Sequence, residues 1–241
     1  MKEKIRLDKF LSSQLNISRS DAKKLIKSGS VSLDGDHSVK AENVFEPENC
    51  RVTVNGKNVE YKKYIYIMQN KPVGVVSASE GRNDITVTDI LPDALKRQGL
   101  FPAGRLDKDT TGFVLITDDG EYAHNILSPA HHVPKTYIAS VSVKLEEQSL
   151  ELLRNGITTG GDHFRPAVIE YLGEEKDEGL FRYKVIISEG KYHQIKRMFA
   201  FAGSSVKKLK RTAIGGLSLD FSLSEGESRE ISADELALIT E

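Results

Sequence analysis

Beyond residue 60 of this 241-residue chain, strand-like runs follow one another without long helical segments between them. "YIYIM", "FVLITDDGEY", "TYIASVSV" and "RYKVIISEG" each carry β-rich apolar runs, the second running into an Asp-Gly turn. Helical spacing is confined to "LEEQSLELLRNGI", closed by Gly156, and to the basic segment "YHQIKRMFAFAG", closed by Gly203. A doubly wound parallel sheet needs strands and long helices in regular alternation, so this pattern disfavours it. The expected class is α+β, with a mainly antiparallel, mixed sheet. "NKPVG" breaks regular structure at Pro72 and Gly74.

The first sixty residues read differently, as a small unit of their own. Leu7, Phe10, Leu11 and Leu15 form the apolar stripe of one helix. Ser18 or Ser20 is placed to cap a second, whose buried side is Ala22, Leu25 and Ile26 and whose left-handed stop is Gly29. "VSLDGDHSV" alternates around Asp34-Gly35, and "CRVTVNGK" alternates before Asn55-Gly56, both hairpin signals. The expected organisation is therefore a small domain over residues 1–60 and a larger one over 61–241.

Composition excludes several classes. No apolar run approaches the roughly 18 residues of a membrane span, and "MKEKIRLDKF" lacks the apolar stretch of a signal peptide, so a cytoplasmic protein without membrane contact is expected. One cysteine, Cys50, and scattered histidines give no zinc spacing. The neighbours His131 and His132 are better read as solvated, and no metal is expected. No glycine-rich phosphate loop precedes a helix, so no nucleotide cofactor is indicated either. A monomer is expected by default.

Charge is unevenly spread. The net charge is only −1, yet residues 1–30 hold eight Lys/Arg against three acids, and residues 191–211 hold seven Lys/Arg and no acid. Residues 217–241 counter this with seven acids against Arg229. Two separate basic patches on a neutral chain fit a local polyanion footprint. The expected RNA contacts are Arg6, Lys9, Arg19, Lys23 and Lys24 in the first patch. In the second they are Lys191, Arg197, Lys208 and Arg211. Such cations supply affinity for a phosphate backbone without reading bases.

The stretch "GRLDKDTTG", residues 104–112, carries the chemistry. On a strand, Arg105 and Asp107 would point to one face with Leu106 turned inward. A carboxylate beside a cation has its charged form favoured, which suits a nucleophile or base near neutral pH. Thr110, Thr111 and Gly112 suit a turn able to hold a carboxylate or a phosphate. Residue types alone favour a purely structural turn, and "DDG" at Asp118 and Asp119 is ordinary turn chemistry.

Two resemblances decide between these readings. "IRLDKFLSSQLNISRSDAKKLIKSGSVSLDG" resembles the alpha-L RNA-binding module first known from a ribosomal small-subunit protein. "NKPVG", "GRLDKDTTG", "KTY", "EGKYHQIKRMF" and "RTAIGGL", in that order, are similar to the motifs of RNA pseudouridine synthases. The ribosomal small-subunit branch of these enzymes carries an alpha-L module in front. The resemblance implies that Asp107 is the nucleophile of uridine isomerisation and that Arg105 fills the gap left by the flipped nucleotide. It implies that Tyr137 stacks on the target base, that Lys196 pairs with the catalytic carboxylate, and that Leu217 lines the base. Many relatives have arginine in place of Lys196, and a lysine pairs as a point charge, not as a fork. The isomerisation adds nothing and changes no oxidation state, so no cofactor is implied. The implied partner is ribosomal RNA or an assembling small subunit. "HQIKRM" favours the small-subunit branch over the large-subunit one, where arginine is usual in that motif. A large-subunit target and a non-catalytic RNA-binding factor are the alternatives.

Overall fold

A computed structural model describes residues 4–81, 83–128 and 131–240. The chain divides into two compact units, Met1–Ile65 with Lys96–Leu100, and Tyr66–Leu95 with Phe101–Glu241.

In the first unit, β1 (Ile5–Arg6) leads directly into α1 (Leu7–Gln14), which is followed by α2 (Arg19–Lys27). Leu7, Phe10 and Leu11 of α1 meet Ala22 and Ile26 of α2 in one core with Val31, Phe45 and Val52. Ser18 is the cap, its hydroxyl accepting from the Asp21 amide at 3.1 Å. Gly29 follows α2 with φ of +76°, the left-handed stop. β2 (Val31–Leu33), β3 (Val44–Phe45), β4 (Val52–Val54) and β5 (Lys57–Val59) complete the unit. Asn55-Gly56 closes the β4–β5 hairpin, both residues at positive φ. Asp34-Gly35 turns the chain the same way, but only Leu33 and Asp36 bridge across it, because β2 takes β4 as its partner.

Asp8 departs from the pattern of an amphipathic helix: it is buried at 1% exposure in the first turn of α1. Arg6 grips it with two hydrogen bonds of 3.0 and 3.1 Å, and Arg19 approaches to 3.7 Å. The Arg6 hydrogen bonds hold the Asp8 carboxyl below the usual carboxylate range. Both arginines, expected as free RNA contacts, thus balance a buried charge, and Lys24 pairs with Asp21 at 2.8 Å. Lys9 and Lys23 are exposed and make no ion pair among the described residues.

The second unit is built on β6 (Tyr66–Lys71), β7 (Phe101–Pro102), β8 (Thr111–Thr117), β9 (Lys135–Val141), β10 (Ile157–Thr159), β11 (Asp162–Phe164), β12 (Val168–Glu175), β13 (Leu180–Ile187), β14 (Val206–Ile214), β15 (Leu217–Ser218) and β16 (Ser228–Glu230). Its helices are α3 (Gly120–Leu127), α4 (Glu147–Asn155), α5 (Gln194–Phe201) and α6 (Ala233–Ala237). Nine strands make the main sheet among the described residues, in the order β12-β13-β9-β14-β8-β6-β16, with β15 on β14 and β7 on β8. Only β14 and β8 pair in parallel, through Lys210–Thr111 and Arg211–Gly112. Every other pairing in this sheet is antiparallel. This is the mixed α+β architecture expected. Met68, Phe113, Leu115, Ala123, Ile126, Ile214 and Leu217 share one core, and Tyr183 meets Phe199 of α5 edge-on at 5.5 Å.

Two elements differ from the sequence reading. The "DDG" turn is the start of α3: Asp119 accepts from the Tyr122 amide at 2.9 Å and from the Tyr66 hydroxyl at 2.6 Å. Residues 103–110 are not a strand but an irregular loop between β7 and β8. Leu106 still turns inward, at 7% exposure, because Ser77 holds it from both sides. The Leu106 amide donates to Ser77 Oγ at 3.0 Å, and that hydroxyl donates to the Leu106 carbonyl at 3.1 Å.

Candidate active site

The loop carrying Asp107 is pinned by the segment that follows β6. The Gly74 amide donates to the Lys108 carbonyl at 2.8 Å. Lys71, fully buried at the end of β6, donates its ammonium to the carbonyls of Thr110 (2.7 Å), Pro72 (2.9 Å) and Lys108 (3.3 Å). Burial pushes the Lys71 ammonium down to about 8, against the pull of Asp109 and Asp107. Within the loop, the Thr110 amide closes a turn on the Asp107 carbonyl at 3.0 Å. Asp107 is thereby fixed by backbone contacts on both sides, with its side chain one-third exposed.

α5 supplies the cations. Lys196 Nζ lies 3.2 Å from Asp107 Oδ2 and 2.6 Å from Asp109 Oδ1, so the expected pair with Asp107 is a three-membered cluster in which Asp109 is the nearer partner. Burial opposes charge on Lys196, but the hydrogen bonds to Asp109 and Asp107 outweigh it and hold the ammonium above the ordinary lysine value. The hydrogen bond from Lys196 holds Asp109 below the usual carboxylate range. His193, at the N-cap of α5, brings Nε2 to 3.5 Å from Asp107 Oδ2. It does so from a left-handed backbone, φ 50° and ψ 31°, a conformation a non-glycine residue holds only against strain. Asp107 thus faces the N-terminal turn of α5, where the helix dipole favours an anion.

Two adjoining recesses open here. The smaller, about 80 Å³, is lined by Asp107, Tyr137, Lys196 and the apolar Leu106, Ile187, Ile195 and Leu209. The larger, about 580 Å³, shares Arg105, Tyr137, Gly190 and Lys191 with it, and lies within the range of small-ligand sites. Tyr137, on β9, is buried at 8% exposure. Arg105 is exposed and makes no ion pair among the described residues, so it does not neutralise Asp107.

Four expected site residues do not take the parts expected of them. Leu217 packs in the core with Met68, Phe113 and Ile239 and does not reach either recess. β15 places it in that core, and Leu106, Ile187, Ile195 and Leu209 form the apolar wall of the smaller recess. Arg211 is not a surface cation: it is 4% exposed, with Nε donating to the Phe113 carbonyl at 2.7 Å. Arg197 ties α5 to the β10–β11 hairpin through Asp162 (2.7 Å) and the Thr159 carbonyl (2.9 Å). Lys208 is held by Glu178 at 2.5 Å and Glu175 at 3.8 Å. Lys191 lines both recesses and donates to the His163 carbonyl at 2.6 Å. His131 and His132 meet Asn125 and Arg165 respectively. Among the described residues no group of three or more His, Cys, Asp or Glu side chains could hold a metal ion. Among the same residues no helix is long and apolar enough to cross a membrane.

Known proteins match both units. Residues 65–201 match the RNA pseudouridylate synthase family, and residues 5–37 match the S4 domain. The chain belongs to the RNA pseudouridylate synthase family. It is 42% identical to the uncharacterized RNA pseudouridine synthase YtzG of Bacillus subtilis (strain 168), over 98% of this chain and 99% of that one. It is 36% identical to ribosomal small subunit pseudouridine synthase A of Escherichia coli (strain K12), over 98% of this chain and 100% of that one. A crystal structure of a pseudouridylate synthase matches with a TM-score of 0.67 at 35% identity, covering 98% of this chain and 99% of that one. This pseudouridine synthase is therefore an isomerase with an RNA-binding S4 domain, as the motif order implied. Lys71, Ser77 and His193 were not singled out from sequence. "NKPVG" and "YHQIK" contain two of them, but nothing in the spacing reveals that Lys71 is buried or that His193 adopts a left-handed turn.

Proposed function

We propose that this enzyme converts a uridine of small-subunit ribosomal RNA to pseudouridine, with Asp107 as the nucleophile. The observation that carries the reading is the position of the Asp107 carboxylate. It lies in a recess with Tyr137, 3.2 Å from Lys196 Nζ, on a loop held by Lys71 and Ser77. The reaction breaks the bond from uracil N1 to ribose C1′, rotates the base, joins C5 to C1′, and removes the proton of C5 while N1 gains one. Atoms and electrons balance without a cofactor.

The uridine must leave its stack to reach Asp107, at a cost of a few kcal/mol. Stacking on Tyr137 returns about 1–3 kcal/mol. Arg105, exposed and without an ion pair, is free to enter the vacancy. Lys196 balances the carboxylate before attack, and between Asp107 and Asp109 it can follow the charge as the intermediate forms. The small-subunit target is supported by the E. coli relative named for it, which matches this chain end to end. Lys9 and Lys23 are, of the contacts expected in the first unit, those free to meet the RNA backbone.

Mapping pseudouridine in both ribosomal RNAs of a deletion strain tests this. Loss of a single small-subunit pseudouridine, restored by the intact gene and not by Asp107→Asn, is the expected outcome. Loss from the large-subunit RNA would move the target, and no loss at either would overturn the reading.

A further inference from the structure

Arg211 poses a question that the Asp107 site does not answer. Its guanidinium is more than nine-tenths buried, yet only Nε has an acceptor. Nη2 is sealed from solvent without a partner, and neither terminal nitrogen meets an acceptor among the described residues. A buried donor without a partner costs about 1–3 kcal/mol, more when charged. Arg211 stands opposite Tyr137 in the β14–β9 ladder, and Lys135 lies two residues before Tyr137 on the same face of β9. All three side chains line the recess of about 580 Å³. The Lys135 ammonium also has no partner among the described residues. Burial, and then the charge of Arg211, hold it below the ordinary lysine value.

A buried guanidinium and a half-buried ammonium side by side call for an anion. The carboxylate lining this recess, Glu189, is already engaged, accepting from the Arg165 amide at 2.8 Å and from Gln194 Nε2 at 2.7 Å. A neutral uracil carbonyl would satisfy a hydrogen bond but leave both charges uncompensated. A phosphodiester supplies the charge and several acceptor oxygens, and a guanidinium beside an ammonium is suited to receive it. We propose that Arg211 and Lys135 form an anion subsite for a phosphodiester flanking the extruded uridine, so that the wall of the recess grips the backbone while Tyr137 holds the base. This rests on the reading of Asp107 as the reacting group.

The test uses the full chain and an oligoribonucleotide carrying the mapped uridine. Each flanking linkage is replaced in turn by a neutral 2′-deoxy methylphosphonate, with the matching 2′-deoxy phosphodiester as reference. One position should raise KM about tenfold, equivalent to about 1.4 kcal/mol, with little change in kcat. Lys135→Met should abolish that sensitivity, and Arg211→Lys should reduce it. The lysine variant answers the question even where substitution of the buried arginine impairs folding. If no flanking linkage is sensitive, or if Lys135→Met remains as sensitive as the parent, the subsite is overturned. Absence of turnover on the unmodified RNA would instead sink the isomerase reading, and the subsite with it.

Discussion

Gly112, the last residue of "GRLDKDTTG", is where the two halves of the main sheet touch, and replacing it by alanine should damage both stability and site. Its φ is +100°, and an added Cβ would lie 2.2 Å from the Arg211 carbonyl oxygen and 2.8 Å from the Arg211 amide nitrogen. Ordinary contact begins at 3.4 Å, so β14 would have to move by more than 1 Å away from β8. The parallel register there consists of Lys210–Thr111 and Arg211–Gly112 alone. Losing its backbone hydrogen bonds costs about 1 kcal/mol each. Forcing alanine into the left-handed region adds about 1–2 kcal/mol. The sum is about 3–4 kcal/mol, which for a chain of this size lowers Tm by about 6–16 °C. Calorimetry on Gly112→Ala reads this directly. Gly226→Ala is the control, since Gly226 has φ of +92° and nothing within 4 Å of an added Cβ, and it should lose only about 1 kcal/mol. At a temperature where Gly112→Ala is folded, its kcat/KM should still fall, because the strand that shifts carries Arg211. A Tm within 2 °C of the parent, or a loss no larger than that of Gly226→Ala, would refute the close approach of β14 to Gly112.

Further outcomes follow from the same geometry. Lys71 titrates near 8 when folded and at 10.5 when unfolded, so the unfolded chain binds more protons between those values and stability rises with pH across that window. The unfolding free energy of the parent relative to Lys71→Met, from urea titrations, should therefore increase by about 2 kcal/mol between pH 7.5 and 10, and a flat difference would contradict the burial of this ammonium. Lys196→Met, which leaves Asp107 and Asp109 facing each other without their shared cation, should lower kcat by about 10²-fold or more in single-turnover assays while Tm changes little. Leu217→Ala should cost about 2–5 kcal/mol of stability with kcat retained, since Leu217 is core and not base pocket, and a selective loss of kcat would reverse that assignment.

The parts of this protein legible in its sequence are those where local signals and packing agree. α1, α2 with its Ser18 cap, β8, β9, β13, α4 and α5 carry apolar spacing that survives into the fold. β14 was hidden because four cations crowd residues 207–211 and read as part of an RNA-binding patch. In the fold, Leu209 and Arg211 of that run turn inward, while Lys207 and Lys208 face out. The Asp107 loop imitates a strand in sequence because one inward residue between two charged ones has the right alternation. What fixes that alternation is Ser77, nearly thirty residues away, a contact no local window contains. The same holds for Lys71, two of whose three carbonyl partners lie almost forty residues downstream. The motif order located the site, but the network that holds it depends on long-range contacts between motifs.

The most direct measurement is tritium release from RNA labelled at uridine C5, comparing the parent with Asp107→Asn. Forming the new carbon–carbon bond expels that hydrogen, so the parent should liberate tritium with every turnover. The amide variant should liberate none above background while binding the same RNA with the parent's affinity. Undiminished release from Asp107→Asn would remove this carboxylate from the chemistry and contradict the account at its centre.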